Sequence, residues 1–180
     1  MTKEIVAFQG EKGAYSHLAC EEMFPKATIK TCATFEETFK MASEDENIKI
    51  MVPIENSLAG RVADIHYLLT KYKLQIYSEH FQNVEHNLLV KEGTELKDIK
   101  YVRSHVQAID QCQKIISKNK FKTIISADTA GSAKDLSTSN DKSIAAIASK
   151  LSAKIYNLKI LNSNIEDDTG NVTRFLIMGK

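Results

Sequence analysis

The sequence lacks a strong excess of charge of either sign. Lysines and arginines number 24 against 23 aspartates and glutamates, so the formal net charge is +1 at pH 7. A protein that binds a polyanion needs a basic field, and the one local basic cluster here is Lys118–Lys122. The composition therefore argues against nucleic acid as a partner.

Long hydrophobic runs and metal-type cysteine spacing are also absent. No apolar stretch approaches the roughly 20 residues of a membrane-spanning helix, and residues 1–10 lead directly into a strand and a turn. Cys20, Cys32 and Cys112 form no Cys-x-x-Cys pair and are typical of buried thiols in a reducing compartment. These absences predict a cytoplasmic protein with no membrane contact and no metal site.

Glycine and proline are scarce, with 7 and 2 residues, and the glycines stand at the boundaries of predicted elements. Between them, short apolar strands alternate with helical patterns, which predicts an α/β fold. Strands are predicted at 5–8, 48–54, 101–104, 123–126, 143–147, 159–162 and 172–178. Helices are predicted at 16–24, 58–73, 107–118, 129–136 and 150–158. A further helix is predicted to begin at a capping box formed by Thr34 and Glu37.

One change of pattern predicts two lobes. The strand-like runs 74–80 and 85–90 follow each other without a helix between them, which indicates a crossover. We therefore predict a first lobe of residues 1–77 plus 161–180 and a second lobe of residues 78–160. Two such lobes enclose a cleft, and ligands of open α/β sheets bind at the carboxyl ends of the strands.

Four polar segments occur at the ends or starts of predicted strands. They are Gly10–Ser16, Val52–Ser57, Arg103–Cys112 and Asp168–Phe175. Each also has an ordinary structural interpretation, respectively a tight turn, a helix cap, a solvated helix face and an edge strand. If the segments meet, they supply the polar groups of a binding site.

Arginine is rare, and all three arginines lie in or beside these segments. Arg61, Arg103 and Arg174 are the only ones among 24 basic residues. A planar guanidinium binds a carboxylate through two hydrogen bonds, which the lysine ammonium does not do. The placement favours a carboxylate ligand, with chance placement of Arg61 and Arg103 as the alternative.

The segment Val52–Ser57 carries three adjacent polar side chains. Pro53 belongs near a strand end, so we expect Glu55, Asn56 and Ser57 in the loop at the carboxyl end of the strand. Asn56 or Ser57 could also cap the next helix. Glu55 is the one carboxyl group of the segment and a candidate general acid.

The segment Arg103–Cys112 places polar side chains at the start of a predicted helix. Ser104 is a candidate N-cap, and Gln107 and Gln111 are expected on one helix face because they are four residues apart. Such a face is usually solvated, but here it follows a strand end, so a ligand role stays open. His105 is either a proton donor or a structural residue.

The segment Asp168–Phe175 opens the last strand. Strict alternation sends Thr173 and Phe175 to one face and Arg174 to the other. A neighbouring hydroxyl and guanidinium can hold an oxyacid, but only if the strand starts inside the motif or bulges there. The alternative is an edge strand with a surface arginine.

Three of these segments resemble the signatures of the prephenate dehydratase family. They read Val52-Pro-Ile-Glu-Asn-Ser57, Ser104-His-Val-Gln107 followed by Gln111-Cys112, and Asn171-Val-Thr-Arg-Phe175. The resemblance covers essentially the whole chain. It implies two α/β lobes of the type II periplasmic-binding-protein kind and a lyase that converts prephenate to phenylpyruvate, water and CO2 in phenylalanine biosynthesis. It implies no metal and no organic cofactor.

The resemblance also implies roles for individual residues. Thr173 is the main catalytic residue, and the other catalytic groups are Glu55, Asn56, Ser104 and Gln111. Arg174 and Phe175 line the cleft, and Arg174 is expected to anchor a substrate carboxylate. Further substrate contacts are predicted at Ser57, Gln107, Asn171, Ala14 and Tyr15.

The chain departs from the family pattern at several points. Val106 stands where the family usually has proline, and Ala14 where threonine is common. Neither the family's ACT regulatory domain nor its Glu-Ser-Arg-Pro motif is found, so feedback by phenylalanine stays open, as does the choice between a short enzyme and part of a longer one. A homodimer would depend on the catalytic lobes alone.

Two other functions stay open at this point. Arogenate dehydratase acts on a substrate that differs by an amino group, and the residues do not separate the two activities. A non-catalytic two-lobed module that binds a small acid is the alternative from another class.

Overall fold

A computed structural model describes residues 4–180 and divides the chain into two units, each built around its own sheet. The first unit comprises the residues up to Glu11, Tyr15–Val84 and Gly170–Lys180. The second comprises Lys12–Ala14 and Glu85–Thr169. Within residues 4–180, every helix is too short or too polar to cross a bilayer.

The first unit has six strands and three helices. The strands are β1 (Ile5–Gln9), β2 (Thr28–Cys32), β3 (Ile48–Asn56), β4 (Gly60–Arg61), β5 (Gln75–Asn83) and, from the end of the chain, β11 (Val172–Gly179). The helices are α1 (Tyr15–Met23), α2 (Phe35–Glu44) and α3 (Ala63–Tyr72). The strand order is β2-β1-β3-β11-β5, with β4 paired to β3.

The second unit has five strands. They are β6 (Asn87–Val90), β7 (Tyr101–Ser104), β8 (Lys122–Ile125), β9 (Ile144–Ala148) and β10 (Lys159–Asn162), in the order β10-β6-β9-β7-β8. The helices are α4 (Val106–Asp110), α5 (Gln113–Asn119), α6 (Thr129–Thr138) and α7 (Lys150–Ile155), with a 3₁₀ turn at Leu96–Asp98.

The last strand, β11, lies in the middle of the first sheet. It runs antiparallel to both β3 and β5, while β1 is parallel to β2 and β3. On one face, Leu176 and Met178 join Ile50 and Val52 in a core with α2 and α3. A fully buried aliphatic side chain contributes about 1.5–3 kcal/mol, so this face fixes the register of β11 against β3.

The start of α2 confirms the predicted cap in part. The Thr34 hydroxyl accepts a hydrogen bond from the backbone N–H of Glu37 at 3.1 Å, as predicted. The Glu37 carboxylate accepts from the N–H of Ala33 at 2.8 Å, one residue before the expected donor. The local signal was sufficient because cap and helix are adjacent in sequence.

The helix predicted from Leu58 begins later, at Ala63. Glu55 and Asn56 remain in β3 because they pair with β4 in a tight hairpin, so the prediction that both lie in a loop was wrong. Ser57 follows the strand, and Leu58 lies exposed in the hairpin turn. Apolar residues at helical spacing had extended the predicted helix across this turn.

The helix predicted at 107–118 is two helices. α4 ends with Gln111 as its C-cap, and α5 begins after Cys112. The N-cap of α4 is His105, whose Nδ1 accepts from the N–H of Gln107 at 3.3 Å. The prediction of Ser104 as N-cap was therefore wrong, because Ser104 is the last residue of β7.

The predicted lobe boundaries also shift. β5 pairs with β11 along its length, so the first unit continues to Val84 rather than ending at residue 77. β10 pairs antiparallel with β6, so it belongs to the second unit rather than the first. Strand pairing decides to which unit each strand belongs. Pairing between segments that are far apart in the chain leaves no local pattern in the sequence.

Candidate active site

The ladder between β3 and β11 places Thr173 directly opposite Asn56. The Asn56 side-chain amide donates to the Thr173 hydroxyl oxygen at 2.9 Å and to the Asn171 side-chain oxygen at 2.7 Å. Within residues 4–180, no acceptor takes the Thr173 hydroxyl proton. Because its oxygen is occupied as an acceptor, the half-buried Thr173 hydroxyl can serve as a hydrogen-bond donor to a ligand.

Asn56 is itself held rigidly by the hairpin turn. Its side-chain oxygen accepts from the N–H groups of Leu58 and Ala59 at 3.0 and 2.9 Å. Its N–H groups donate to the two side chains on the facing segment. The polar atoms of Asn56 are thus used by the protein, and Asn56 positions Thr173.

Ser57 fastens the segment that precedes β11. Its hydroxyl donates to the carbonyl of Gly170 at 2.9 Å and accepts from the N–H of Val172 at 2.9 Å. Between these two residues, Asn171 is buried, and its carbonyl accepts from the N–H of Val84 at 2.9 Å. Ser57 and Asn171 therefore fix the backbone next to Thr173.

Arg174 lies between two carboxylates. Its Nε donates to Glu79 on β5 at 2.8 Å, and its Nη1 donates to Glu55 on β3 at 3.3 Å. The guanidinium also lies 5.9 Å from the ring centroid of Phe81. Hydrogen bonds to Glu79 and Glu55 raise the pKa of the Arg174 guanidinium above its ordinary value. Its positive charge is already balanced within the first sheet.

A small hollow adjoins Arg174. Its volume is about 320 Å³. The residues that line it are Glu55, Asn56, Ser57, Phe81, Val172 and Arg174. The hollow therefore contains the Glu55–Arg174 ion pair and does not include Thr173.

Thr173 and Arg174 face opposite sides of the sheet. Thr173 is opposite Asn56, and the next residue, Arg174, is opposite Glu55, so their side chains alternate. The register shifts only after this pair, between Arg174 and Phe175, and does not bring the two groups together. A bulge that brought Thr173 and Arg174 to one face would have to lie between these two residues, but the observed shift comes one residue later.

Phe175 lies on the same face as Thr173 but inside the core. Its side chain is 1% exposed. Phe175 was predicted to line the cleft, and that role stays a prediction, although so low an exposure is typical of an interior strand residue. The buried run of β11 begins at Phe175, after the half-buried Val172, Thr173 and Arg174.

In the second unit, Ser104 is fully buried. Its hydroxyl donates to the carbonyl of Ile147 on the neighbouring strand β9 at 2.7 Å. This bond satisfies the serine hydroxyl proton within the sheet. Gln107, on the first turn of α4, is exposed.

Gln111 contacts a buried histidine that the sequence interpretation missed. The Gln111 side-chain oxygen lies 2.8 Å from Nε2 of His86, which is 2% exposed and directly precedes β6. Burial lowers the pKa of the His86 imidazole below its ordinary value, and the hydrogen bond to Gln111 and the charge of Glu166 partly oppose this shift. The two residues are 25 positions apart, so no local spacing could have joined them.

Comparison with known proteins decides the family. The model for prephenate dehydratase matches residues 6–180. The chain belongs to the prephenate dehydratase family. All three signature segments lie inside the match, and the structure confirms the predicted fold class of two α/β units.

The relatives of this chain in the family are longer than the chain itself. A bifunctional N-acyl-homoserine lactone acylase/prephenate dehydratase from Komagataeibacter europaeus is 42% identical over 99% of this chain and 63% of the relative. Arogenate dehydratase/prephenate dehydratase 1 of Arabidopsis thaliana is 40% identical over 99% of this chain and 46% of the relative. The chain thus spans less than two thirds of either protein.

A solved structure agrees with the fold. Prephenate dehydratase from Arthrobacter aurescens, in complex with L-Phe, is 28% identical and superimposes with a TM-score of 0.89. The alignment covers 98% of this chain and 60% of that one. The two units described above are therefore the fold of prephenate dehydratases.

The two remaining predicted substrate contacts, Ala14 and Tyr15, lie at the start of the first helix. Ala14 belongs to the second unit and Tyr15 opens α1 in the first; both are half-buried. Gly13, directly before them, has φ +93°, and a Cβ there would lie 2.5 Å from the Ser152 hydroxyl. The close approach to Ser152 thus requires a glycine at position 13.

The part of the chain that the structure describes has no set of side chains suited to bind a metal ion. No group of three His, Cys, Asp or Glu side chains there could hold a metal ion. The cysteines are buried, and burial raises the pKa of Cys20 to about 12 and that of Cys112 above its ordinary value. They are poor nucleophiles at neutral pH.

Proposed function

We propose that the chain converts prephenate to phenylpyruvate, water and CO2. The observation that supports this most directly is the state of the Thr173 hydroxyl. Asn56 donates to its oxygen, and its proton has no acceptor within residues 4–180. A fixed donor of this kind suits a reaction in which a hydroxyl must leave.

The reaction makes an aromatic ring, and aromatisation supplies the driving force. The protein must help a poor leaving group, the ring hydroxyl of prephenate. A threonine hydroxyl is too weak an acid to release its proton fully, so Thr173 acts by hydrogen-bonding the departing oxygen. The departing hydroxyl takes up one proton from the solvent buffer, so that the prephenate dianion and H⁺ give the phenylpyruvate anion, CO2 and H2O.

Glu55 is not the proton donor in this proposal. Glu55 pairs with Arg174 across strands β3 and β11, so its side chain lies on the face opposite Thr173. It also forms an ion pair with Arg174. A carboxylate on the other face of a sheet cannot deliver a proton to an oxygen beside Thr173. The sequence had favoured Glu55 because it is the one carboxyl group of the segment Val52–Ser57.

Arg174 has a narrower role than an unpaired arginine would have. The ring carboxylate of prephenate leaves as CO2, so a tight ion pair there would stabilise the ground state and slow the reaction. The pyruvyl carboxylate keeps its charge and is the better target. A substrate carboxylate at Arg174 must compete with Glu79 and Glu55, which already bind it.

Arogenate is the second candidate substrate. The Arabidopsis relative is named for both arogenate and prephenate dehydratase activity. The two substrates share the leaving hydroxyl and the ring carboxylate, so Thr173 would act on both in the same way. The ratio of kcat/KM on the two substrates, measured with one preparation, separates them.

Amide hydrolysis is the third candidate, because the Komagataeibacter relative carries an acylase name. Hydrolysis by covalent catalysis needs a nucleophile activated by a neighbouring base. Within residues 4–180, no serine, threonine or cysteine side chain is hydrogen-bonded to a histidine ring. This favours the lyase reaction over the acylase reaction.

The testing experiment offers prephenate, arogenate and an N-acyl-homoserine lactone to the purified chain. Phenylpyruvate is followed by its absorbance at alkaline pH, and phenylalanine and free homoserine lactone by chromatography. The proposal predicts turnover of prephenate. Binding of prephenate without turnover would identify a binding module, and lactone release alone would overturn the lyase assignment.

A further inference from the structure

Three polar side chains form one row across the first sheet. Thr173 on β11 lies opposite Asn56 on β3 and opposite Gln82 on β5. Side chains that are directly opposite in an antiparallel pair share a face, with Cβ atoms about 4.5–5.5 Å apart. The Thr173 hydroxyl is thus flanked by two amide side chains, and all three residues belong to the first unit.

Each flanking amide carries an oxygen that would suit the Thr173 hydroxyl proton as an acceptor. The Asn56 oxygen already accepts from two backbone N–H groups of the hairpin turn, at 3.0 and 2.9 Å. The Gln82 oxygen lies 3.2 Å from Nε2 of His80, two residues earlier on β5. Gln82 is 5% exposed, so its oxygen needs a donor inside the protein.

The contacts of His80 fix the direction of this hydrogen bond. The Gln82 amide nitrogen donates to the Asn83 carbonyl at 3.3 Å, which orients the amide with its oxygen toward His80. The Glu22 carboxylate lies 3.5 Å from the same Nε2 atom. An amide oxygen and a carboxylate can only accept, so Nε2 carries the proton. The His80 ring therefore occupies the Gln82 oxygen.

We infer that His80 is a positioning residue for Thr173: it occupies the Gln82 oxygen and so leaves the Thr173 hydroxyl proton to the substrate. This inference rests on the proposed function, in which that hydroxyl donates to the departing oxygen. His80 and Gln82 themselves touch no substrate. Without His80, the buried Gln82 oxygen would take another donor, and the Thr173 proton beside it has no acceptor within residues 4–180.

Kinetics on prephenate test this role. His80→Phe removes the donor and keeps a ring, so kcat should fall about two- to tenfold, the range for displacing one neutral hydrogen bond. KM should stay nearly constant, because the departing oxygen gains its charge only on the way to the transition state. His80→Gln keeps an N–H donor and should restore most of the loss.

A double variant separates this role from a purely structural one. Gln82→Met removes the competing oxygen, so His80→Phe combined with Gln82→Met should turn over faster than His80→Phe alone. His66→Phe, at an exposed histidine of α3, is the matched control and should keep the wild-type kcat. A double variant as slow as His80→Phe, or a wild-type kcat in His80→Phe, would overturn the inference.

A spectroscopic readout on the wild type holds even if a variant folds poorly. At alkaline pH, the imidazole ¹⁵N shifts of His80, assigned through its backbone resonances, should show a protonated Nε2 and a bare Nδ1. A bare Nε2 would overturn the inference whatever the kinetics. Absence of prephenate turnover by the wild type, with the Nε2–H tautomer present, would instead fault the proposed function and leave the His80–Gln82 contact standing.

Discussion

At the scale of the residue, the site depends on which side chains are already occupied. Asn56 and Ser57 belong to the signature, yet their polar atoms bind the turn and the segment before β11. Asn56 donates to the Thr173 hydroxyl oxygen, and among residues 4–180 no group accepts the Thr173 hydroxyl proton. Among these three, Thr173 is the group with a donor to offer the substrate.

Arg174 gives a prediction on substrate binding. Glu79→Gln removes one of its two carboxylates, so more of its charge becomes available to the pyruvyl group. We expect KM for prephenate to fall about two- to fivefold with kcat unchanged, because exposed ion pairs are weak. Arg174→Lys should raise KM, since the ammonium lacks the planar fork.

Steady-state kinetics with prephenate measures both effects. Glu36→Gln, which removes a carboxylate bound to Lys71 at 2.6 Å, is the control and should leave KM as it is. A rise in KM for Glu79→Gln like that for Arg174→Lys would mean that Arg174 only joins strands β3, β11 and β5.

His86 gives a prediction on stability. Burial lowers the pKa of its folded form, so below the ordinary value of 6.5 the unfolded chain takes up a proton that the folded chain refuses. The free energy of unfolding should therefore fall as pH decreases through 6.5 toward the lowered pKa, and no such loss should arise from His86 above 6.5.

Urea unfolding at pH 7 and pH 5 measures this loss. His86→Gln should lose less stability than the wild type over that interval, because its side chain does not titrate. His66→Gln, at an exposed position, should follow the wild type. Equal losses in all three proteins would show that His86 titrates alike in the folded and unfolded chains.

At the scale of the element, α4 shows where the chain departs from its family. Val106 is the first residue of α4, and His105 before it has φ −64° and ψ 146°, a conformation that tolerates a following proline. Val106→Pro should raise the free energy of unfolding by about 0.4–1 kcal/mol, by restricting the unfolded chain.

Thermal or urea unfolding tests the proline. Gln107→Pro, one position later, removes the N–H that donates to His105 Nδ1 and should destabilise the chain. If Val106→Pro also destabilised it, the start of α4 would differ from the one described.

Local signals predicted the elements well, and long-range pairing decided what they missed. The cap at Thr34 and most strands follow from neighbours in sequence. The hairpin of β3 and β4 was missed because Leu58 continues a helical pattern across its turn. The Glu55–Arg174 pair joins residues 119 positions apart, which no periodicity encodes.

At the scale of the whole molecule, the chain is two α/β units whose chain crossings fall at Val84/Glu85 and Thr169/Gly170, besides the short exchange at Lys12–Ala14. The predicted crossings at 77/78 and 160/161 were displaced because β5 pairs with β11 and β10 pairs with β6. The α/β fold could be predicted from the alternation of strands and helices along the chain. The boundaries between the two units depend on the pairing partners of the edge strands β5 and β10.

The signature segments predicted the family, and the match over residues 6–180 confirms it. The sequence could not separate residues that would act on the substrate from residues that hold those side chains in place, because both kinds occur in the same motifs. The hydrogen bonds of Asn56, Ser57 and Ser104 show that the polar side chains of these three residues bind other parts of the protein.

The central claim is that the Thr173 hydroxyl hydrogen-bonds the departing oxygen. The most direct test is kcat on prephenate for Thr173→Ala and Thr173→Ser. We expect Thr173→Ala to lower kcat by about 10² to 10⁴, the range for a lost positioned acid–base group, while Thr173→Ser keeps most of it. A wild-type kcat in Thr173→Ala, with the fold intact, would contradict the account.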